Sequence, residues 1–148
     1  FSLNTPSVIN AYEHFTAGCE KRIEASVRAA QAGYPIGFLI APVFIYPDWK
    51  EEYHELLLQL SRKLPRDLKF PITFEVISHR YTLTAKNKIL QIFPETKLSM
   101  EEEKRKFQYG QFGYGKYLYT SEQMAKMKHF FQKKIRETFP DAEIMYFV

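Results

Sequence analysis

Apolar positions in the first part of the chain follow two alternating spacings. Runs of consecutive apolar residues, typical of buried strands, are followed by segments in which apolar residues recur every three or four positions, as in amphipathic helices. This alternation predicts an α/β domain with parallel strands, each followed by a covering helix. The strands are predicted at 1–4, 36–45 and 72–77, and the helices at 20–32, 48–64 and 84–93.

The predicted helices carry further expectations. Asp48 and Glu51 have the spacing of a capping box, which would start the second helix. In the third helix, Ile89, Leu90 and Phe93 recur on one side. We therefore expect these three side chains to face the core.

The second predicted strand, 36–45 (IGFLIAPVFI), has no polar alternation, so we expect it to be buried on both faces. Ala41-Pro42 interrupts this strand, and proline removes a ladder donor. The pair therefore indicates either a β-bulge that turns backbone groups towards a ligand or simply a strand end. Glu75 lies in the third apolar strand, where a carboxylate needs a partner, and we expect a structural ion pair with Arg80 or a helix lysine rather than the alternative, a catalytic role.

After Pro94 the pattern changes. Ser99 and Glu102 again have capping-box spacing. The segment 109–117 (YGQFGYGKY) places three glycines among alternating aromatic residues, which predicts a β-hairpin with its tip near 110–115.

The chain then predicts one more helix and one more strand. Thr120 and Gln123 form a capping-box pair, and the amphipathic pattern continues to about Thr138. Residues 143–148 (EIMYFV) form the last strand. We expect 1–98 to supply three βα units and 99–148 a hairpin, helix and strand packed on them, within one structural domain that is half of a larger one. The apolar face of the long helix comprises Met124, Met127, Phe131 and Ile135.

Composition narrows the possible functions. The chain has 148 residues and one cysteine, Cys19, which excludes an internal disulfide, a multi-cysteine zinc site and a self-sufficient iron–sulfur cluster. No window approaches the apolar length of a membrane span, and no signal-peptide pattern is present. Cys19 precedes a predicted helix, but no basic residue is fixed beside it, so we interpret it as an ordinary cysteine. His14, His54 and His129 have no metal-ligand spacing.

Charge and aromatic residues concentrate in the second half. The net charge of +4 lies entirely in 75–148, and 104–119 contains four cations, six aromatic residues and no acid. This combination would suit a polyanion with flat rings to stack on, as in nucleic-acid binding. A solvated basic loop over an aromatic core explains the charge equally well.

Ligands of α/β sheets bind at the carboxyl ends of the strands. This rule selects Ser2 and Asn4, whose small polar groups could bind a ligand or simply cap the backbone. It also selects the segment after Ala41 and the pair His79-Arg80, whose guanidinium could bind a phosphate.

The ordered motifs resemble one known family. They are FSLN at 1–4, AGYPIGF at 32–38, IAPVFI at 40–45, SHRYT at 78–82, YGQFGYGKY at 109–117 and EIMYFV at 143–148. Over essentially the whole chain, in the same order and spacing, they resemble the carboxyl-terminal half of the spore photoproduct lyase family. The resemblance implies the second half of a partial (βα)6 barrel with parallel strands, of the radical S-adenosylmethionine (AdoMet) type, followed by the hairpin, long helix and last strand.

The family resemblance also implies an activity. Such enzymes repair the spore photoproduct (5-thyminyl-5,6-dihydrothymine) in DNA, with AdoMet and a [4Fe–4S] cluster held by three cysteines in a C-x3-C-x2-C loop. Those cysteines are absent from this sequence, and Cys19 matches none of them. We therefore expect the chain, which begins with Phe1 rather than Met, to be a truncated piece that is inactive alone. The implied whole protein is a monomeric, cytoplasmic enzyme of the spore core.

Site residues follow from the matching motifs. Ser2 resembles a serine that contacts AdoMet, and Ala41 a residue whose backbone lies against it; Asn4 is the neighbouring polar candidate. Arg80 and Lys116 resemble DNA-backbone contacts. The hairpin, with Gln111, Phe112 and Tyr114, resembles a wedge that holds the lesion out of the duplex, because an enzyme acting on a base must take it out of the stack.

The hairpin tip departs from the family pattern, in which Arg-Tyr stands where this chain has Gln111-Phe112. A charge and a hydroxyl are lost, while an aromatic ring is kept. Two alternatives therefore remain at this point: a sister radical enzyme with another substrate, and a nucleic-acid-binding α/β module without chemistry.

Overall fold

The chain folds around four parallel strands in the part that the computed structural model describes, residues 1–110 and 113–148. The strands are β1 (Ser2–Leu3), β2 (Gly37–Val43), β3 (Thr73–Ser78), β4 (Lys106–Tyr109), β5 (Gly115–Leu118) and β6 (Glu143–Phe147). The helices are α1 (Pro6–Tyr12), α2 (Cys19–Gln31), α3 (Trp49–Lys63), α4 (Leu83–Ile92) and α5 (Ser121–Thr138), with a 3₁₀ helix at Glu102–Lys104. The parallel sheet has the order β1-β2-β3-β6, and β4 and β5 form a separate antiparallel hairpin.

This architecture confirms the α/β alternation, the hairpin and the long fifth helix. The final strand joins the main sheet, where β6 pairs in parallel with β3. Helix α1 was not predicted, although its start signal is present in the sequence. Thr5 caps it by accepting a hydrogen bond from the Val8 amide at 3.3 Å, and Pro6 occupies its first turn.

One face of the sheet is covered by α2, α3 and α5. Phe38 and Phe74 of the strands lie there in one buried cluster with Tyr53 of α3 and Phe131 of α5. The predicted apolar face of α5 is confirmed, since Met127, Phe131 and Ile135 are fully buried and Met124 is partly buried. In the described part of the chain, no helix has the length and apolar content needed to cross a membrane.

The other face of the sheet is open. Cα register places Ser2, Leu39, Glu75 and Tyr146 in one row across the four strands, and each is at least partly exposed. We call this the open face. The expectation that β2 is buried on both faces is therefore wrong, because no helix among the described residues covers this side. The expected ion pair of Glu75 is also wrong: the carboxylate is exposed and needs no buried partner.

Only one of the three predicted capping boxes forms. At the start of α5, the Gln123 amide donates to Thr120 Oγ1 at 3.3 Å and the Thr120 amide donates to Gln123 Oε1 at 3.0 Å. Asp48 instead has a left-handed backbone (φ 62°) and makes no side-chain cap. The Ser99 hydroxyl donates to the Glu101 carboxylate, so it does not cap the 3₁₀ helix.

Helix α4 also differs from the prediction. It has no buried residue: Ile89 is half-buried, while Leu90 and Phe93 are 40% and 54% exposed. The inward-facing stripe is therefore wrong for the described part of the chain. Helical spacing identified the helix correctly, but it could not specify whether a core lies beside it.

Candidate functional site

The carboxyl ends of β1, β2 and β3 meet at one edge of the sheet, which we call the rim. The His79 amide donates to the Val43 carbonyl at 2.9 Å, so the segment after β3 remains attached to the end of β2. The rim is therefore a continuous edge, as the rule for parallel sheets predicts.

A β-bulge shapes the rim at Ala41-Pro42. Ile40 pairs with Val76 and Val43 with Ser78, so β2 has one more residue than β3 in this interval. Pro42 lacks an amide hydrogen, and its carbonyl accepts a hydrogen bond from Asn4 Nδ2 at 3.0 Å. The register shift favours the bulge over a simple strand end, while the turning of backbone groups towards a ligand stays a prediction.

The side chain of Asn4 makes four hydrogen bonds at the rim. Its Oδ1 atom accepts hydrogen bonds from the Thr5 amide at 3.0 Å and from Tyr53 Oη at 2.7 Å, while Nδ2 donates to Glu13 Oε1 at 3.3 Å and to Pro42. The side chain is fully buried, and burial is the main cause that raises the pKa of Tyr53 well above its usual value. All four hydrogen-bonding positions of the amide are used within the chain. Asn4 therefore holds the strand ends together, as in the backbone-capping alternative, and its binding to a cofactor stays a prediction.

Ser2 and Ala41 differ from Asn4 in their surroundings. Ser2 is exposed and stands in the row of residues on the open face, and Ala41 is half-buried at the bulge. Both therefore remain accessible to a ligand placed over the open face near the rim.

The hairpin is attached to the rim by a two-way backbone bridge. The Tyr81 amide donates to the Tyr117 carbonyl at 3.2 Å, and the Tyr117 amide donates to the Tyr81 carbonyl at 2.8 Å. Arg80 and Lys116 each directly precede a bridge residue, so the fold brings these two cations to the same junction. Within residues 1–110 and 113–148 neither of them forms an ion pair.

The tip and the shaft of the hairpin are strongly aromatic. Tyr114 is 70% exposed near the tip. Gln111 and Phe112 lie outside the described residues. Along the shaft, the Phe107 ring covers Gly115, where a Cβ atom would overlap it, and packs edge-on against Tyr117 at 5.2 Å.

Stacked rings connect the hairpin to the rim. Tyr117 stacks on Tyr81 with centroids 5.3 Å apart, Tyr81 on His79 at 5.8 Å, and His79 packs against Phe44 at 4.6 Å. The pKa of His79 is lowered to about 4, mainly by burial and secondarily by the positive charge of the nearby Arg105 guanidinium. His79 is therefore neutral at neutral pH and acts as one more flat ring in this stack.

Arg105 is the residue that sequence reasoning missed. Charge patterning groups it with the other three cations of 104–119, but its guanidinium lies 3.8 Å from the centroid of the Tyr119 ring and donates to the His79 carbonyl at 3.0 Å. Its neighbours Lys104 and Lys106 are exposed. No sequence signal separates these three cations, because only the tertiary fold determines which one turns inward.

A family comparison decides what this rim and hairpin belong to. The model of the spore photoproduct lyase family matches residues 1–148. The chain belongs to the spore photoproduct lyase family. The resemblance deduced from the motifs is thus confirmed.

Curated spore photoproduct lyases agree with this assignment. The protein from Clostridium acetobutylicum is 50% identical over 149 residues, covering 100% of this chain and 43% of the relative. The protein from Bacillus subtilis is 43% identical over 147 residues, covering 99% of this chain and 43% of the relative. The chain thus spans about 43% of the length of these relatives.

Solved structures of spore photoproduct lyase have the same fold as this chain. A complex with dinucleoside spore photoproduct matches with a TM-score of 0.94 at 38% identity, covering 100% of this chain and 44% of the other. A double mutant with bound AdoMet and dinucleoside spore photoproduct matches with a TM-score of 0.93, also at 38% identity and with the same coverage.

The residues of this lyase-family chain fit one of the two implied cofactors. Ser2 and Ala41 offer an accessible rim over the open face, which is compatible with AdoMet. The cluster has no such site here. Among the described residues no group of three His, Cys, Asp or Glu side chains could hold a metal, and the single cysteine, Cys19, is buried in α2, where burial is the main cause that raises its pKa.

Proposed function

We propose that this chain forms the part of a spore photoproduct lyase that holds AdoMet at the rim and lesion-containing DNA at the hairpin. The observation that carries the proposal is the Tyr81–Tyr117 bridge, which joins an aromatic hairpin and the cations Arg80 and Lys116 to the ends of the parallel strands. The substrate would be the spore photoproduct in DNA, because related structures are described as complexes with dinucleoside spore photoproduct.

The remaining parts of the enzyme would come from residues outside these 148. The four parallel strands would belong to a partial (βα)6 barrel, with the open face towards its interior. AdoMet and a [4Fe–4S] cluster would supply the radical chemistry, and the cluster ligands would lie on those other residues. The contribution of this chain is to bind, to orient and to keep the lesion against the rim.

The relatives come from Clostridium acetobutylicum and Bacillus subtilis, which form spores. Repair of a spore DNA lesion requires access to DNA, so we place the protein in the spore core, acting as a monomer on its DNA partner. This placement follows from the proposed substrate.

The DNA role predicts a change in salt dependence. In the lyase that carries this chain, Arg80→Ala and Lys116→Ala should each weaken binding of lesion-containing duplex, because each removes a cation placed beside a phosphate. Each variant should also reduce the slope of log Kd against log salt by about 0.9. Fluorescence anisotropy with labelled duplex across a series of salt concentrations measures both effects.

Lys126→Ala is the matched control for these cation variants. Lys126 lies on α5, on the helix-covered side of the sheet, where it is exposed and pairs with Glu122 at 3.2 Å. It should leave the slope unchanged. Wild-type slopes in both Arg80→Ala and Lys116→Ala would remove the phosphate contacts from the proposal.

The cofactor role predicts a separate effect at Ser2. Because the Ser2 hydroxyl is exposed on the open face, Ser2→Ala should raise the Kd for AdoMet about fivefold, the value of one hydrogen bond, without changing thermal stability. Isothermal titration calorimetry with the lyase and AdoMet measures this. Ser7→Ala, which removes an exposed hydroxyl that donates to Glu52 at 2.7 Å, is the control and should bind AdoMet normally. Equal AdoMet affinity in Ser2→Ala and wild type would contradict the assignment.

A further inference from the structure

Arg105 connects the base of the hairpin to the rim. It lies one residue before β4, and its guanidinium points back towards the end of β3. Nη1 donates to the His79 carbonyl at 3.0 Å, and Nη2 lies 3.2 Å from both His79 Nδ1 and the Ser99 carbonyl. Guanidinium nitrogens only donate, so Nδ1 of His79 accepts and the ring is neutral.

The same guanidinium reaches the end of β2 through Tyr119. Its Cζ atom lies 3.8 Å from the Tyr119 ring centroid, and Tyr119 Oη accepts a hydrogen bond from the Ile45 amide at 3.0 Å. Arg105 thus contacts groups attached to β2, β3 and β5 at once. The half-buried position strengthens these contacts relative to a solvated cation.

Glu102 makes a second attachment on the other side of the hairpin base. Its carboxylate accepts from Tyr117 Oη at 2.8 Å and pairs with Lys86 Nζ of α4 at 2.9 Å. We call Glu102 and Arg105 the junction clamp. Glu102 links Tyr117 of the hairpin to Lys86 of α4, and Arg105 links the hairpin base to His79 at the rim.

The contacts of Arg105 require an arginine. One planar fork donates to two carbonyls and a ring nitrogen while its face lies on Tyr119. Lysine keeps the charge but has a single ammonium, which cannot donate in this fork geometry and stack at the same time. Arg105→Lys therefore separates geometry from charge.

We propose that Arg105 is a positioning residue that sets the angle of the hairpin to the rim, and thereby the place at which Lys116 and Tyr114 meet the DNA lesion. The proposal rests on the proposed function for its consequence in binding. Its structural part, the hairpin angle, is independent of DNA.

The test measures the hairpin angle directly. Nitroxide labels are attached through a genetically encoded keto amino acid at Tyr114 near the hairpin tip and at Lys126 on α5, so that no cysteine is modified. Pulsed electron paramagnetic resonance then gives the distance distribution between the labels in the lyase without DNA. The variants are Arg105→Ala, Arg105→Lys and, as a matched control, Lys104→Ala, which removes an exposed cation one residue away.

Wild type and Lys104→Ala should give the same single distance, and both Arg105 variants a shifted or broader one. In the unlabelled protein, Arg105→Lys should raise the Kd for lesion-containing duplex about tenfold, as expected for the loss of charge-assisted hydrogen bonds. The salt slope should not change even in Arg105→Ala, which removes the charge, because the guanidinium donates to His79 and Ser99 rather than to a phosphate. An unchanged slope with weaker binding is a result that simple loss of charge does not produce.

A wild-type distance distribution in Arg105→Lys together with wild-type lesion affinity would overturn the proposal. If Arg105→Ala fails to fold, as judged by circular dichroism, Arg105→Lys decides alone. If the wild-type lyase does not bind the lesion, the proposed function fails, while the distance distributions still show whether Arg105 sets the hairpin angle.

Discussion

Phe131→Ala is expected to lower the free energy of unfolding by about 3–5 kcal/mol, the range for removing a large buried aromatic side chain. The ring is fully buried, and it packs against Tyr53 at 5.3 Å, Phe130 at 5.2 Å and Phe147 at 6.5 Å between centroids. It therefore joins α5, α3 and β6. Truncation leaves a cavity at the place where three elements meet, and little can collapse into it.

Urea denaturation followed by circular dichroism measures this loss. Phe93→Ala is the matched control, because Phe93 follows α4 and is 54% exposed. Phe93→Ala should lower the free energy of unfolding by less than about 1 kcal/mol, since most of the surface of Phe93 is already in contact with water. Similar costs for the two variants would mean that the core does not lie between the sheet and α5.

Asn4→Ala is expected to lower the free energy of unfolding by about 2–4 kcal/mol, because removing this one side chain leaves several buried polar groups without a partner. Tyr53 Oη, the Thr5 amide and the Pro42 carbonyl each lose a hydrogen bond. Ser2→Ala, two residues earlier on the same rim, should be neutral for stability because Ser2 is exposed. Comparing the stability of Asn4→Ala with that of Ser2→Ala therefore distinguishes a structural residue of the rim from one that faces a ligand.

A double-mutant cycle sharpens the Asn4 result. Tyr53→Phe removes only the phenol that donates to Asn4 at 2.7 Å. The cost of Asn4→Ala with Tyr53→Phe should be smaller than the sum of the single costs by about 1 kcal/mol, since the two changes delete the same hydrogen bond. Strict additivity, measured by urea denaturation, would show that Asn4 and Tyr53 act independently.

The sequence was sufficient to predict the strands and the helices other than α1, because these elements depend on local residue patterns. Apolar runs and helical spacing depend on nearby residues, so β2, α3 and α5 could be read directly. Capping was less predictable: the same spacing gives a real box at Thr120 but not at Asp48, whose left-handed backbone turns its side chain away from the helix amides.

The burial of individual side chains was less predictable than the elements themselves, because burial depends on what packs beside an element in the fold. Glu75 stands in an apolar strand and yet faces the open side of the sheet, and Leu90 of α4 is exposed despite its helical spacing. For the same reason the sequence grouped Arg105 with Lys104 and Lys106. Ser2 and Ala41 were selected by a rule about strand ends, whereas the separate role of Asn4 depends on Tyr53, which is distant in the sequence.

Because of the bulge at Ala41-Pro42, the number of residues between Ile40 and Val43 determines which side chains are buried at the rim. Side chains of a strand alternate between its two faces, and before the bulge Phe38 and Ile40 point to the helix-covered side. Val43, three residues after Ile40, is also fully buried, so the extra residue of the bulge has shifted the alternation by one position. Deleting one residue here would turn Val43, the last residue of β2, from the buried side to the open face. Insertions and deletions at this point should therefore be as rare in evolution as substitutions of the core, unlike those in the exposed turn at 14–18.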